Sequence, residues 1–110
     1  MYSLKSSLTQ KRLNQYLVKE IMEATPQQLL LKIYDFALLN AQRKNIEKTN
    51  AALQELINSL NFEDEKASEI STGLFRLYQY CQDQSRKKNF EIVYKILSGL
   101  RDSWKSAFNM

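Results

Sequence analysis

The stretch TPQQLLLKIYDFALLN, residues 25–40, begins with a helix start and then turns almost wholly apolar. Thr25, Pro26 and Gln28 make the start. A threonine in the cap position accepts a hydrogen bond from an unpaired N–H of the first turn, and a glutamine three residues on reaches back to the cap. Proline suits the first helical position, whose N–H has no intrahelical partner in any case. The spacing predicts a helix to about Arg43. Between Leu29 and Leu39 only Lys32 and Asp35 carry charge, so this helix is apolar on nearly all sides. Leu29, Leu30, Ile33, Tyr34, Ala37 and Leu38 can serve a core, which leaves Leu31, Phe36 and Leu39 needing cover. Either this is a central helix wrapped by its neighbours, or its surplus apolar face forms a groove for a partner helix.

Three further helices follow from periodicity. Ile46, Thr49, Leu53, Leu56 and Leu60 recur at steps of three and four, with Ala52 and Ile57 widening the stripe, and this helix should stop near Asn61. NFEDEKAS, residues 61–68, reads as a carboxylate-rich turn. Ile70, Leu74, Leu77 and Cys81 mark the next stripe, with Phe75 and Tyr78 beside it. Phe90, Val93, Leu97, Leu100, Trp104 and Ala107 form a heptad-like seam from about Phe90 to Phe108. Gly73 and Gly99 fall inside these helices, where glycine costs about 1 kcal/mol relative to alanine. They are either tolerated defects or places where another backbone comes close.

Two connectors resemble each other. Arg43-Lys44-Asn45-Ile46-Glu47 and Lys87-Lys88-Asn89-Phe90-Glu91 each end a helix with cations, offer Asn as the next cap and place Glu in the new first turn. Both arrangements complement the helix dipole. Short connectors force antiparallel neighbours, so the fold expected is all-α: an antiparallel up-down four-helix bundle. One pole should carry Arg43, Lys44, Arg86, Lys87 and Lys88, and the other Glu63, Asp64 and Glu65. Residues 1–15 read as a mobile tail. Residues 16–110 read as a single bundle domain, in which Tyr16, Leu17, Val18, Ile21 and Met22 make an additional short N-terminal helix or strap.

Composition narrows the function. The chain has 110 residues, with 44% hydrophobic and 25% charged, which is ordinary for one globular domain. Its two glycines and one proline are too few for a turn-rich sheet protein. There is no histidine, so the usual general base and the commonest metal ligand are missing. The one cysteine, Cys81, lies on a core stripe and suits a buried, inert thiol in a reducing cytosol. No phosphate-binding loop, nucleophile elbow or metal spacing is present. The expectation is no enzyme, no catalytic residue, no metal and no cofactor. The apolar run is far short of the roughly 20 residues that span a bilayer, and no secretory leader pattern is seen. A net charge of +4 is modest, and the aromatics fall at helical spacing, so neither membrane insertion nor nucleic-acid binding is expected.

Tyr16, Ile21, Ala24, Thr25, Pro26, Leu29 and Leu30, followed by Ile33-Tyr34-Asp35, resemble the opening of the FliS family, the flagellin-specific chaperones of the flagellar export system. Asn45-Ile46-Glu47-Lys48-Thr49-Asn50 is similar to that family's second-helix start, and Ser59-Leu60-Asn61 to its end. Leu74, Leu77-Tyr78 and Tyr80 resemble its third-helix stretch, and Leu100-Arg101-Asp102-Ser103-Trp104 its ending. The resemblance covers about residues 16–107. Phe36 stands where the family usually has glycine, and the first two helices look shorter than usual by equal amounts. The resemblance implies a cytoplasmic export chaperone. Such a protein binds the disordered C-terminal segment of flagellin, prevents premature polymerisation and keeps the subunit ready for type III export. The flagellin contacts it implies are Tyr16, Ile21, Leu30, Ile33, Tyr34 and Leu38, with the export gate as a further partner. The alternative is a self-associating helical module, homodimeric when unliganded.

Overall fold

The computed structural model describes residues 25–110. The expected tail, the expected strap, and with them Tyr16 and Ile21 lie outside those residues. Among the described residues there are four α-helices and no strand: α1 (Pro26–Gln42), α2 (Ile46–Asn58), α3 (Glu65–Arg86) and α4 (Phe90–Ala107). The all-α class holds.

The helix starts follow from local chemistry. At α1 the Thr25 hydroxyl accepts from the Gln28 N–H at 3.1 Å, and the Thr25 N–H donates to Gln28 Oε1 at 2.9 Å. At α2 the Lys48 N–H donates to Asn45 Oδ1 at 2.9 Å. Asn89 takes the same position at α4 but makes no such bond; its amide donates to Gln84 Oε1 at 2.7 Å instead. Two expected boundaries need correction. α2 stops at Asn58 rather than near Asn61, and α3 begins inside the stretch expected to be a turn. The cause is Asp64, whose carboxylate accepts from the Lys66 N–H at 2.9 Å and so caps a helix that Glu65 opens.

The two similar connectors share one geometry. Lys44 and Lys88 adopt left-handed φ angles of 57° and 64°. The Asn45 N–H reaches back to the Asn40 carbonyl and the Asn89 N–H to the Gln84 carbonyl, both at 2.9 Å. These are Schellman closures, which satisfy the last carbonyls of one helix before the next begins.

α1 packs against α2 and α4, and α3 packs against the same two. Side-chain bonds give the register. Asn50 and Gln82 exchange amide-to-carbonyl bonds at 3.2 and 3.3 Å, and farther along Ser71 Oγ donates to the Asn61 carbonyl at 2.6 Å. The two segments therefore run in opposite directions. Trp104, near the end of α4, lies beside Pro26 and Leu29 at the start of α1, and Phe90, at the start of α4, shares a cleft with Lys44 just past the end of α1, so α1 and α4 are antiparallel too. The core holds Tyr34, Ala37, Ala41, Leu53, Leu56, Tyr78, Cys81, Phe90, Val93 and Leu97, with Leu100 and Trp104 half-buried against it.

The α3 stripe departs from expectation. Cys81 is buried and Leu74 and Leu77 are half-buried, but Ile70 is 64% exposed. The buried face is carried instead by Tyr78 with Ser71, Gln82 and Ser85. Ala107, at the end of the expected α4 seam, is also exposed. A Cβ added at Gly73 or Gly99 would meet nothing within 4 Å, so neither glycine marks a close approach within the bundle.

Candidate functional site: an apolar groove at the open end

α2 and α3 have different lengths, 13 and 22 residues. Because Ser71 lies level with Asn61, residues 65–70 of α3 project roughly two turns past the end of α2. The first turns of α1 project on the other side. The space left between them is a groove of about 610 Å³. Pro26, Leu29, Leu30 and Ile33 form one wall, and Ala67, Ile70, Ser71 and Leu74 the other; Ser59, Leu60 and Asn61 close one end, and Tyr78 and Trp104 lie at the base. The lining is dominated by aliphatic and aromatic carbon, as pockets for apolar guests generally are.

A short polar chain underlies the base. Trp104 Nε1–H donates to Tyr34 Oη at 3.0 Å, and the hydroxyls of Tyr34 and Tyr78 are 2.5 Å apart. The two tyrosine rings meet edge to face with centroids at 6.4 Å. Burial pushes both phenols above their ordinary pKa, because a phenolate would lose its hydration there. Both are therefore neutral hydroxyls, able to donate as well as accept.

The six residues expected to contact a guest separate accordingly. Leu30 and Ile33 line the groove. Tyr34 is fully buried and supports the base from behind. Leu38 packs partly buried against the core and is not among the lining residues. Tyr16 and Ile21 lie outside the described residues. Of the three residues expected to need cover, Leu31 is enclosed at 9% exposure, whereas Phe36 and Leu39 remain 47% and 43% exposed. Ile70, Leu74, Tyr78 and Trp104 were missed as groove residues. The signal that could have found them is the mismatch between a short second helix and a long third one, with Ile70 and Leu74 on the overhang.

The opposite end is basic, as the connectors imply. Lys44 and Lys88 share a cleft of about 590 Å³ with Lys95, Glu91 and Ile92, and Arg43, Arg86 and Lys87 are exposed. Glu63, Asp64 and Glu65 are exposed in and beside the connector at the groove end. Arg101 binds Asp35 through its Nε at 2.5 Å, linking α4 to α1 on the bundle surface. Cys81 is fully buried and its thiol is pushed up to about 11 by desolvation, which suits a packing role rather than a nucleophile. No group of three potential metal ligands occurs among the described residues, and none of their helices is long and apolar enough to cross a membrane.

Comparison with known proteins adds one result. A family model described as "FliS: Flagellar protein FliS" matches residues 9–110. No curated protein and no solved structure matches.

Proposed function

Since the chain belongs to the FliS family of flagellar proteins, we propose that it is a flagellar secretion chaperone that binds the disordered C-terminal segment of flagellin in the cytoplasm. It holds that segment away from polymerisation and keeps the subunit ready for type III export, with the export gate as a second partner. The observation that carries this reading is the open apolar groove between the first turns of α1 and α3. A flagellin terminus outside the filament has an unpartnered apolar face. Burying that face in a preformed groove removes the drive to self-associate, and no bond need be made or broken. Coupled folding costs the guest ordering entropy, so affinity must come from a wide contact surface. The exposed side chains of Phe36 and Leu39 on α1 extend that surface beyond the groove.

In the same proposal residues 16–110 form one domain: an up-down four-helix bundle carrying an additional N-terminal helix or strap, preceded by a mobile tail. Tyr16 and Ile21 then join Leu30 and Ile33 at the guest, while Tyr34 and Leu38 support the helix that bears them. Titration with a peptide of the flagellin C-terminal segment from the source organism tests it. An equimolar complex with a gain in helical circular dichroism is expected; no binding to any flagellin of that organism would overturn it.

Exposed Phe36 and Leu39 also favour a second reading, self-association through α1. Sedimentation would then show a concentration-dependent dimer that Phe36→Asp dissolves. A strict monomer at high concentration removes this alternative.

A further inference from the structure

The four helices form two tight hairpins joined by one loose connector. Arg43–Asn45 closes α1 onto α2, and Lys87–Asn89 closes α3 onto α4, each with a left-handed lysine and a returning Asn N–H. Residues 59–64, between α2 and α3, are a longer stretch and hold no left-handed residue. Such a connector does not fix how far one hairpin lies along the other. The groove is the space between these hairpins. Pro26, Leu29 and Ile33 belong to the first, and Ala67, Ile70 and Leu74 to the second. The axial offset of the hairpins therefore sets the depth of the groove.

Polar side chains cross from one hairpin to the other. Asn50 and Gln82 exchange amide-to-carbonyl bonds, and Gln82 Nε2 also reaches Gln54 Oε1 at 3.3 Å. On the other side the Tyr34 hydroxyl joins α1 to both Trp104 and Tyr78. Where the groove closes, Ser71 meets the Asn61 carbonyl. Gln82 lies as far beyond Ser71 as Asn61 lies beyond Asn50, so a single offset satisfies both contacts.

These groups are a poor means of gaining stability. The Gln82 amide bonds are at the long end of the useful range. On the same two helices Thr49 Oγ1, Asn50 Oδ1 and Ser85 Oγ are buried with no hydrogen-bond partner. An unmade bond in a dry interior costs free energy that an apolar side chain of similar size would not. What such groups supply is direction. Apolar contact is undirected, whereas a buried amide is satisfied at one offset and unsatisfied a turn away.

We propose that Asn50, Gln82 and Tyr34 are positioning residues, which hold the two hairpins at the one offset that gives the groove its depth. This rests on the groove being the guest site. A slip of one turn moves the α3 wall about 5.4 Å along the bundle, so Ile70 and Leu74 meet a different part of the facing wall. A guest fitted to the groove then binds only the fraction of molecules that keep the original offset.

The test measures the offset and the affinity together in the full chain. Lys48 on α2 and Glu69 on α3 are exposed, so spin labels on Lys48→Cys and Glu69→Cys report the offset by pulsed electron paramagnetic resonance. Cys81 is fully buried and stays unlabelled. The otherwise wild-type chain should give one narrow distance. Asn50→Leu, Gln82→Met and Tyr34→Phe together keep side-chain volume and remove the cross-links. They should add a second distance displaced by about 5 Å. Affinity for the flagellin C-terminal peptide should fall as the reciprocal of the fraction left at the first distance, about threefold where a third remains. Leu53→Ala, which weakens the core without touching a cross-link, should keep the single distance. An unshifted distance in the triple variant, the same shift in Leu53→Ala, or a shift with unchanged affinity overturns the proposal while leaving the groove reading intact. If the triple variant does not fold, Asn50→Leu with Gln82→Met decides: a distance broadened toward the displaced value supports the proposal, and an unaltered one overturns it. No peptide binding by wild type removes the groove reading, and the distances still decide whether the cross-links set the offset.

Discussion

The two ends of the bundle join their helices in different ways. At the basic end two connectors, Arg43–Asn45 and Lys87–Asn89, each close a helix with a left-handed lysine and begin the next helix at once. At the other end residues 59–64 wander between a helix that stops early and one that overshoots it. The basic end presents charge on satisfied backbone, while the other leaves Leu29, Ile70 and Leu74 facing a groove. The difference teaches that room for a guest arises here from unequal helix lengths. A connector as tight as the other two, joining helices of equal reach, would have filled it.

The largest effect should come from the sealed part of the molecule. Leu53 is fully buried on α2, and truncating a leucine in such a place removes transfer energy and leaves a cavity. Leu53→Ala is expected to cost about 3 kcal/mol in chemical denaturation. A cost below about 1 kcal/mol would mean that the interior collapses around the void, and the contrast between a rigid core and an open groove would fail.

Ile70 is the counterpart on the overhang. With most of its side chain in solvent, Ile70→Asp should change stability by no more than about 0.5 kcal/mol. In the groove wall, however, a carboxylate must be desolvated when an apolar guest arrives. The peptide should bind at least about tenfold more weakly, some 1.4 kcal/mol. Unchanged affinity would place the guest elsewhere, on the α1 face of Phe36 and Leu39.

These two leucine and isoleucine positions also show what the sequence could and could not reveal. Periodicity found both, because both recur at helical steps. It assigned Ile70 to the core because Leu74, Leu77 and Cys81 share its stripe, yet a stripe says only which residues lie together, and not whether another helix stands opposite. That depends on where α2 ends and α3 begins. Both boundaries differ from those the periodicity predicts: α2 ends at Asn58, and Asp64 caps α3 within a stretch whose carboxylates read as a turn. The starts of α1 and α2 were legible because capping is local: Thr25 with Gln28, and Asn45 with Lys48, are three residues apart. The contact of Tyr34 with Tyr78 spans 44 residues and left no local trace. Periodicity places Tyr34 among the residues that can serve the core, where it is fully buried, but says nothing of the partner it meets there.

The smallest effects compare the ends through backbone preference alone. Lys44 and Lys88 hold φ angles that L side chains resist, and glycine would hold them freely. Lys88→Gly should therefore stabilise the chain by about 1 kcal/mol, read as a higher denaturation midpoint with unchanged slope. A loss of stability would mean that the Lys88 side chain contributes more through its cleft than its backbone costs. Gly73 presents the reverse case. It sits within α3 near the overhang with open space around it, so Gly73→Ala should gain about 0.5–1 kcal/mol. That gain belongs to the helix in both free and bound protein, and peptide affinity should stay level. If affinity falls while stability rises, the added methyl is meeting the guest, and the bound segment reaches past the groove onto the outer face of α3.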